Sequence, residues 1–158
     1  MDLIADGNFA TPSFAGNFYQ FSNADEPSFP WKIAWVDSSI DPTTNPPKAE
    51  LQKPSGGNLY LELASTAPYQ ISQTITPQPG QDYVFSFRAK ARKGYPSDFL
   101  ARLTKPNGVV VEYHIKPGAD WQTYTFCQCP TGKEVVVTFV GLGKNDGGAF
   151  IDDVHYVN

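Results

Sequence analysis

Three basic side chains occupy every second position near the middle of the chain, at Arg88, Lys90 and Arg92. Aromatic residues and alanines alternate with them through the stretch from Tyr83 to Ala91. Because successive side chains of a β-strand point to opposite faces, this pattern predicts one aromatic face and one cationic face. Such cations most often form a solvated strand face. On the inner side of a curved sheet they would instead line a groove, where arginine can bind vicinal hydroxyls or an acidic sugar.

Aromatic residues make up 14% of the chain, which is more than a core of this size needs. The face of an aromatic ring can stack against the C–H face of a sugar. Trp31 follows Pro30 in an irregular region and is predicted to be an exposed stacking platform. Tyr95, in a Gly-Tyr-Pro turn, is a second candidate. Trp35 and Trp121 lie in strand-like patterns and are predicted to belong to the core.

Two further polar residues, Arg102 and Glu112, lie on neighbouring predicted strands and are candidates for the same groove. The pattern does not define the faces on which they lie. With the preceding residues they complete a predicted ligand-binding set of Trp31, Tyr95, Arg88, Lys90, Arg102 and Glu112.

An enzyme would need an acid and a base held at a defined distance from the substrate. Asp152 and Asp153 are adjacent on a predicted strand, so we expect them to face opposite sides and not to act as a pair. A glycosidase or lyase could use Glu62 with Glu112. The sequence has no nucleophile-elbow, metal-triad or phosphate-loop motif. We therefore predict a protein that is not an enzyme.

The chain of 158 residues has the length of a single domain, 1–158, with a substantial core. No window repeats apolar residues with the helical period of 3.6. Turn motifs such as Pro77-Gln78-Pro79-Gly80 and Lys105-Pro106-Asn107-Gly108 separate the apolar stretches. The predicted fold class is all-β, a β-sandwich, with strands at 3–9, 59–63, 71–76, 83–92, 99–104, 109–115, 121–129, 134–140 and 149–157. Residues 10–58 are predicted to be mostly irregular.

The net charge of −4 and the pI near 5.0 disfavour nonspecific binding to nucleic acid and to anionic membranes. Membrane insertion is not expected either, because no apolar run approaches about 18 residues. Cys127 and Cys129 are the only cysteines. Their spacing places both on one strand face without disulfide geometry, so they are predicted to be reduced.

Three segments of the chain together carry a family resemblance: LIADGNF near the start, YQISQTITPQPGQDYVFSFRAKAR in the middle and GAFIDDVHYV at the end. In this order they resemble the β-jelly-roll carbohydrate-binding modules of families 4, 9, 16 and 22. The resemblance implies a jelly roll of two antiparallel sheets that binds a polysaccharide or oligosaccharide without cleaving it. It also implies an extracellular or cell-surface location, as a module appended to a larger enzyme or surface protein.

The same resemblance implies a structural calcium ion between the first and last strands. The residues that match are Asp6, Asn8 and Asp153, whose oxygens suit a hard cation. Ala10 stands where the family has a glutamate ligand, which removes one charged group from the site. Two alternatives to sugar binding remain: a structural or adhesive surface domain that contacts protein, and a jelly-roll glycosidase or lyase.

Overall fold

A computed structural model describes residues 1–55, 57–130, 133–144 and 146–158. The described part contains eleven strands and no helix, so no helix capable of crossing a membrane is found there. The strands are β1 (Phe18–Phe21), β2 (Lys32–Trp35), β3 (Ala49–Gln52), β4 (Tyr60–Glu62), β5 (Tyr69–Ile75), β6 (Tyr83–Lys90), β7 (Phe99–Thr104), β8 (Val110–Ile115), β9 (Gln122–Gln128), β10 (Val135–Gly141) and β11 (Phe150–Val157).

These strands form two antiparallel sheets. The six-stranded sheet has the order β1-β3-β4-β11-β6-β9, and the five-stranded sheet has the order β2-β5-β10-β7-β8. Each sheet therefore collects strands from distant parts of the chain. The apolar faces of the two sheets enclose one hydrophobic core. The predicted all-β sandwich of two antiparallel sheets is confirmed.

The alternation in β6 sorts its side chains between this core and the opposite face. Phe85 and Phe87 are fully buried, whereas Arg88 and Lys90 lie on the outer face of the six-stranded sheet. From the other sheet, Phe139 meets Phe87 edge-on, with ring centroids 5.1 Å apart. The predicted division into an aromatic face and a cationic face is confirmed, and it fixes which side chains of the sheet solvent can reach.

The segment 3–9 does not form the strand that the sequence predicts. Its backbone forms only scattered hydrogen bonds with β11. The N–H of Leu3 donates to the carbonyl of Tyr156, and the carbonyl of Gly7 accepts from the N–H of Val154. Positive φ angles of 50° and 51° at Asp6 and Phe9 interrupt the extended conformation. A Cβ at position 7 would overlap the Val154 carbonyl, so only glycine allows this approach.

The irregular region between residues 10 and 58 contains three strands, β1, β2 and β3, of which the sequence predicts none as such. Each is four residues long, and this is too short for a period of two to stand out from chance. β1 and β3 pair with each other at the edge of the six-stranded sheet. They extend its outer face by two strands.

Candidate functional site

One row of side chains crosses the outer face of the six-stranded sheet from one edge to the other. Strand pairing places Gln20 opposite Glu50, and Glu50 opposite Glu62. Further across, Phe150 lies between Glu62 and Lys90. Because neighbouring strands lie about 4.8 Å apart, six strands give this row a length of about 24 Å. We call it the central row: Gln20, Glu50, Glu62, Phe150, Lys90 and Trp121.

At one end of the central row, three partly exposed rings form an aromatic cluster, Tyr60, Phe150 and Trp121. The ring centroid of Tyr60 lies 4.8 Å from that of Phe150 and 5.3 Å from that of Trp121. The ammonium of Lys90 lies 5.3 Å from the Trp121 ring and 5.6 Å from the Phe150 ring. The guanidinium of Arg88 lies 5.0 Å from the centre of Trp121. The cluster thus combines apolar ring surface with two cations.

The other end of the row is a polar pocket built on two carboxylates. Gln20 Nε2 donates to Glu50 Oε1 at 2.6 Å, and Gln52 Nε2 donates to Glu50 Oε2 at 2.5 Å. Arg92 Nη1 donates to both carboxylate oxygens of Glu62. A cavity of about 250 Å³ opens beside these groups. The residues that line it are Phe18, Gln20, Glu50, Gln52, Ser65, Arg92 and Asp146.

Glu62, which accepts hydrogen bonds from the pocket-lining Arg92, is fully buried. Its burial, and then its hydrogen bond to Glu50 and the negative charge of that residue, raise the pKa of Glu62 to about 8. Arg92 opposes this shift but does not cancel it. Glu62 therefore keeps its proton at neutral pH, and this lets the two glutamates lie side by side.

The proton on Glu62 predicts a pH dependence of stability. The folded protein keeps the Glu62 proton up to about pH 8, whereas the unfolded chain loses it near the ordinary value of 4.5. The free energy of unfolding should therefore fall as pH rises between these values, by up to about 1.4 kcal/mol per pH unit. In Glu62→Gln, urea unfolding between pH 5 and pH 8 should show a smaller decrease. An equal decrease in the free energy of unfolding for the two proteins would contradict a protonated Glu62.

Trp31 and Trp121 show the opposite burial to that which the sequence predicts for them. Trp31 is 0% exposed and packs between Phe9 and Phe139, with centroids 6.0 Å and 6.1 Å away. It cannot be a stacking platform. Two residues further on, Ile33 points into the same core. Trp121 is partly exposed within the aromatic cluster instead of belonging to the core.

A signal for Trp121 is present in the sequence. Trp121 alternates with the residues that face the core, Tyr124 and Phe126 among them, and so shares a face with Thr123 and Thr125. The pairing of β9 with β6 places Thr123 opposite Arg88. In the sequence, the threonines on the same strand face as Trp121 already indicate a surface position, and the pairing adds the cations beside it. Tyr60 and Phe150, which lie in apolar stretches, give no comparable signal.

The remaining predicted ligand-binding residues divide between two opposite faces. Arg88 and Lys90 lie in the aromatic cluster, and Tyr95 lies next to the polar pocket, where the guanidinium of Arg92 covers its ring at 4.5 Å. Arg102 and Glu112 pair with each other at 2.7 Å on the outer face of the five-stranded sheet. Those two residues therefore do not belong to the groove. This also separates Glu62 from Glu112, so the suggested acid–base pair does not form.

The residues predicted to bind calcium are only partly together. The carboxylate of Asp6 accepts hydrogen bonds from the Ala10 N–H at 2.8 Å and the Thr11 hydroxyl at 2.7 Å, within its own turn. Asn8 and Asp153, however, line one cavity of about 340 Å³. Within the described ranges, no three His, Cys, Asp or Glu side chains are clustered as a metal site.

The same cavity contains Asp152, which the sequence does not place there. Asp152 and Asp153 were expected on opposite faces, but a β-bulge with a φ of 48° at Asp153 directs both towards the cavity. Asp152 is 6% exposed, and its Oδ1 has no hydrogen-bond partner among the described residues. Burial raises the pKa of Asp152 to about 6. A buried oxygen without a partner fits a cation ligand, so the donor set is Asn8, Asp152 and Asp153.

No protein-family model matches the chain, and no curated protein sequence matches it. Solved structures do match. A family 4 carbohydrate-binding module aligns with a TM-score of 0.57 and 21% identity, over 98% of each chain. The module TmCBM61 in complex with β-1,4-galactotriose aligns with a TM-score of 0.58 and 14% identity, over 100% of this chain and 99% of that one. The fold is a β-jelly roll. The predicted fold is thereby confirmed.

A third structure places the same fold inside a much longer protein. The enzymatically active domain of tailspike protein 4 of bacteriophage CBA120 aligns with a TM-score of 0.54 and 19% identity. The match covers 99% of this chain but only 21% of that one. At these identities the similarity establishes the fold, and the function must be argued from the outer face of the six-stranded sheet.

Proposed function

We propose that the chain is a non-catalytic module that binds a polysaccharide across the outer face of its six-stranded sheet. The observation that carries the proposal is the central row, which extends about 24 Å across the strands. It has rings at one end and hydrogen-bonding groups at the other. An extended sugar chain can contact ring faces and polar groups that lie in one line. The similarity to sugar-binding modules supports the same ligand class.

Each end of the row would have a separate task. The partly exposed rings of Tyr60, Phe150 and Trp121 would cover the C–H faces of sugar residues and remove apolar surface from water. In the polar pocket, Gln52 and Arg92 are already held by carboxylates, so they lose little conformational freedom on binding. Their remaining N–H groups would donate to sugar hydroxyls.

The arrangement of Glu50 and Glu62 supports binding without hydrolysis. Glycosidases keep their two carboxyl groups about 5 Å or more apart, with the scissile bond or a water molecule between them. Glu50 and Glu62 are cross-strand neighbours, and Glu62 is fully buried and already bonded to Arg92. A substrate therefore cannot lie between the two carboxyl groups, and they do not form an acid–base pair around a sugar bond.

A glycan array on the isolated chain, followed by product analysis, tests this function. We expect retention of soluble polysaccharides with no release of shorter sugars. Release of sugar fragments would favour the glycosidase or lyase alternative. Failure to bind any glycan would favour the protein-contacting surface domain.

We further propose that residues 1–158 form one domain, which works as part of a larger extracellular or cell-surface protein. Support comes from the single hydrophobic core shared by both sheets and from the tailspike, in which the matching region is a fifth of the chain. In such a protein, the module would keep its neighbour close to the polysaccharide. This raises the effective concentration of the neighbour at its substrate.

We also propose that the cavity lined by Asn8, Asp152 and Asp153 holds a calcium ion with a structural role. The ion would compensate the buried carboxylate of Asp152 and join the N-terminal segment to β11. Ala10 in place of a glutamate leaves the site with two carboxylates, so its affinity should be low.

Calcium should therefore raise the melting temperature of the wild type, because a ligand that binds only the folded state stabilises it. Asp152→Asn should remove this response, and Asp120→Asn, which changes an exposed carboxylate elsewhere, should keep it. Thermal unfolding with calcium or with chelator is the measurement. Equal curves for the wild type in both solutions would show that this chain holds no calcium.

A further inference from the structure

Lys90 lies in the aromatic cluster, at one end of the proposed sugar-binding face, without a carboxylate partner among the described residues. The ion pairs of the described residues on this face are Arg88 with Asp153 at 3.4 Å and Arg92 with Glu62. Lys90 takes part in neither, and its ammonium donates no hydrogen bond to a described residue. The undescribed residues carry no carboxylate, since they are Gly56, Thr131, Gly132 and Asn145.

Three aromatic rings lie around the Lys90 ammonium, each with its centre within about 6 Å. The ammonium lies 5.9 Å from the Tyr60 ring centre, 5.3 Å from Trp121 and 5.6 Å from Phe150. Ring faces attract a cation, but they accept none of its three N–H groups as a carboxylate would. A sugar that covers these rings would also remove the water that now solvates the ammonium. A bound chain must therefore supply an acceptor at this position, or binding costs the desolvation of a charge.

The neighbours of Lys90 concentrate positive charge at this point. Arg88 and Arg92 precede and follow it at alternate positions, and Arg88 also covers Trp121. Each arginine has one carboxylate partner, so Lys90 is the uncompensated charge of the three. The net charge of the chain is −4, so this preference for an anion would be local to the site.

We infer that the glycan recognised by this face carries anionic groups, a uronate carboxylate or a sulfate ester, and that Lys90 binds that group. This inference rests on the proposed polysaccharide-binding function. The anion would lie above the aromatic cluster, within reach of Arg88. The polar pocket at the other end would bind neutral hydroxyls, because its acceptors are carboxylates.

Matched pairs of polysaccharides test the anion directly. Binding is measured by calorimetry for polygalacturonate, alginate and glucuronoxylan, each beside its carboxyl-reduced neutral form, and for dextran sulfate beside dextran. We expect at least one charged chain to bind about tenfold more tightly than its neutral partner, the size of a charge-assisted hydrogen bond. The carboxylate and sulfate pairs show which anion is recognised.

Lys90→Met keeps the apolar stem and removes the charge. It should lower the affinity for the charged chain about tenfold and so abolish the difference between charged and neutral partners. Lys32→Met removes an exposed charge from β2, in the other sheet, and should leave the difference intact. Added salt should weaken the binding of the charged polysaccharide and leave the binding of its neutral partner unchanged.

The possible outcomes distinguish this inference from the proposed polysaccharide-binding function on which it rests. If neutral and charged chains bind equally, or if Lys90→Met and Lys32→Met behave alike, the inference is wrong and polysaccharide binding stands. If none of the charged or neutral chains binds, both are wrong.

Discussion

Trp121→Ala should weaken polysaccharide binding by about thirtyfold, which corresponds to the loss of about 2 kcal/mol typical for a central aromatic contact. The reason is its position at the end of the central row, where it contacts both cations of the aromatic cluster. Because the ring is partly exposed, the free energy of unfolding should change by less than about 1 kcal/mol. Calorimetric titration and urea unfolding measure the two effects.

Trp35→Ala is the matched control for this experiment. Trp35 is also partly buried, and its indole Nε1 donates to the Asn45 carbonyl at 2.8 Å. It lies in β2 of the five-stranded sheet, far from the central row. Its replacement should leave sugar affinity unchanged. If Trp35→Ala weakened binding and Trp121→Ala did not, the binding face would be misplaced.

Trp31→Ala should have the opposite effect. Trp31 is fully buried between the sheets, so its removal should cost about 3–5 kcal/mol of stability through lost burial and the remaining cavity. The affinity of the folded protein for polysaccharide should stay the same. Urea unfolding, and calorimetry under conditions where the variant is folded, provide the measurements.

Trp31→Phe refines the comparison, since it keeps most of the apolar volume and the contact with Phe139. Its loss of stability should be clearly smaller than that of Trp31→Ala. A Trp31→Ala variant of wild-type stability with reduced sugar affinity would restore the interpretation of Trp31 as a surface platform, which its burial contradicts.

The long strands could be predicted from sequence because each carries a complete local pattern. Tyr83 to Lys90 alternates over eight residues, and the Asn107-Gly108 turn, with a φ of 79° at Gly108, joins β7 to β8 as predicted. These features depend on neighbours along the chain. The all-β sandwich and the cationic face of β6 follow from them without knowledge of tertiary contacts.

The composition of the site could not be predicted in the same way, because it depends on pairings between distant strands. Glu50 meets Glu62 only because β3 lies beside β4, and Lys90 meets Phe150 only because β11 lies beside β6. Arg102 and Glu112 have residue types suited to sugar binding, yet they belong to the other sheet. The residue types indicate the chemistry that a site could have, whereas the pairing of distant strands determines which residues lie together in it.

The most direct test of the binding face uses the three indole N–H signals of the protein. In an NMR titration with a polysaccharide fragment that binds, the signal of Trp121 should shift together with backbone signals of Lys90, Phe150 and Gln52. The indole signals of Trp31 and Trp35 should stay in place, since one is buried in the core and the other lies in the opposite sheet. Shifts confined to Trp35, or to Arg102 and Glu112, would contradict the assignment of the six-stranded sheet as the sugar-binding face.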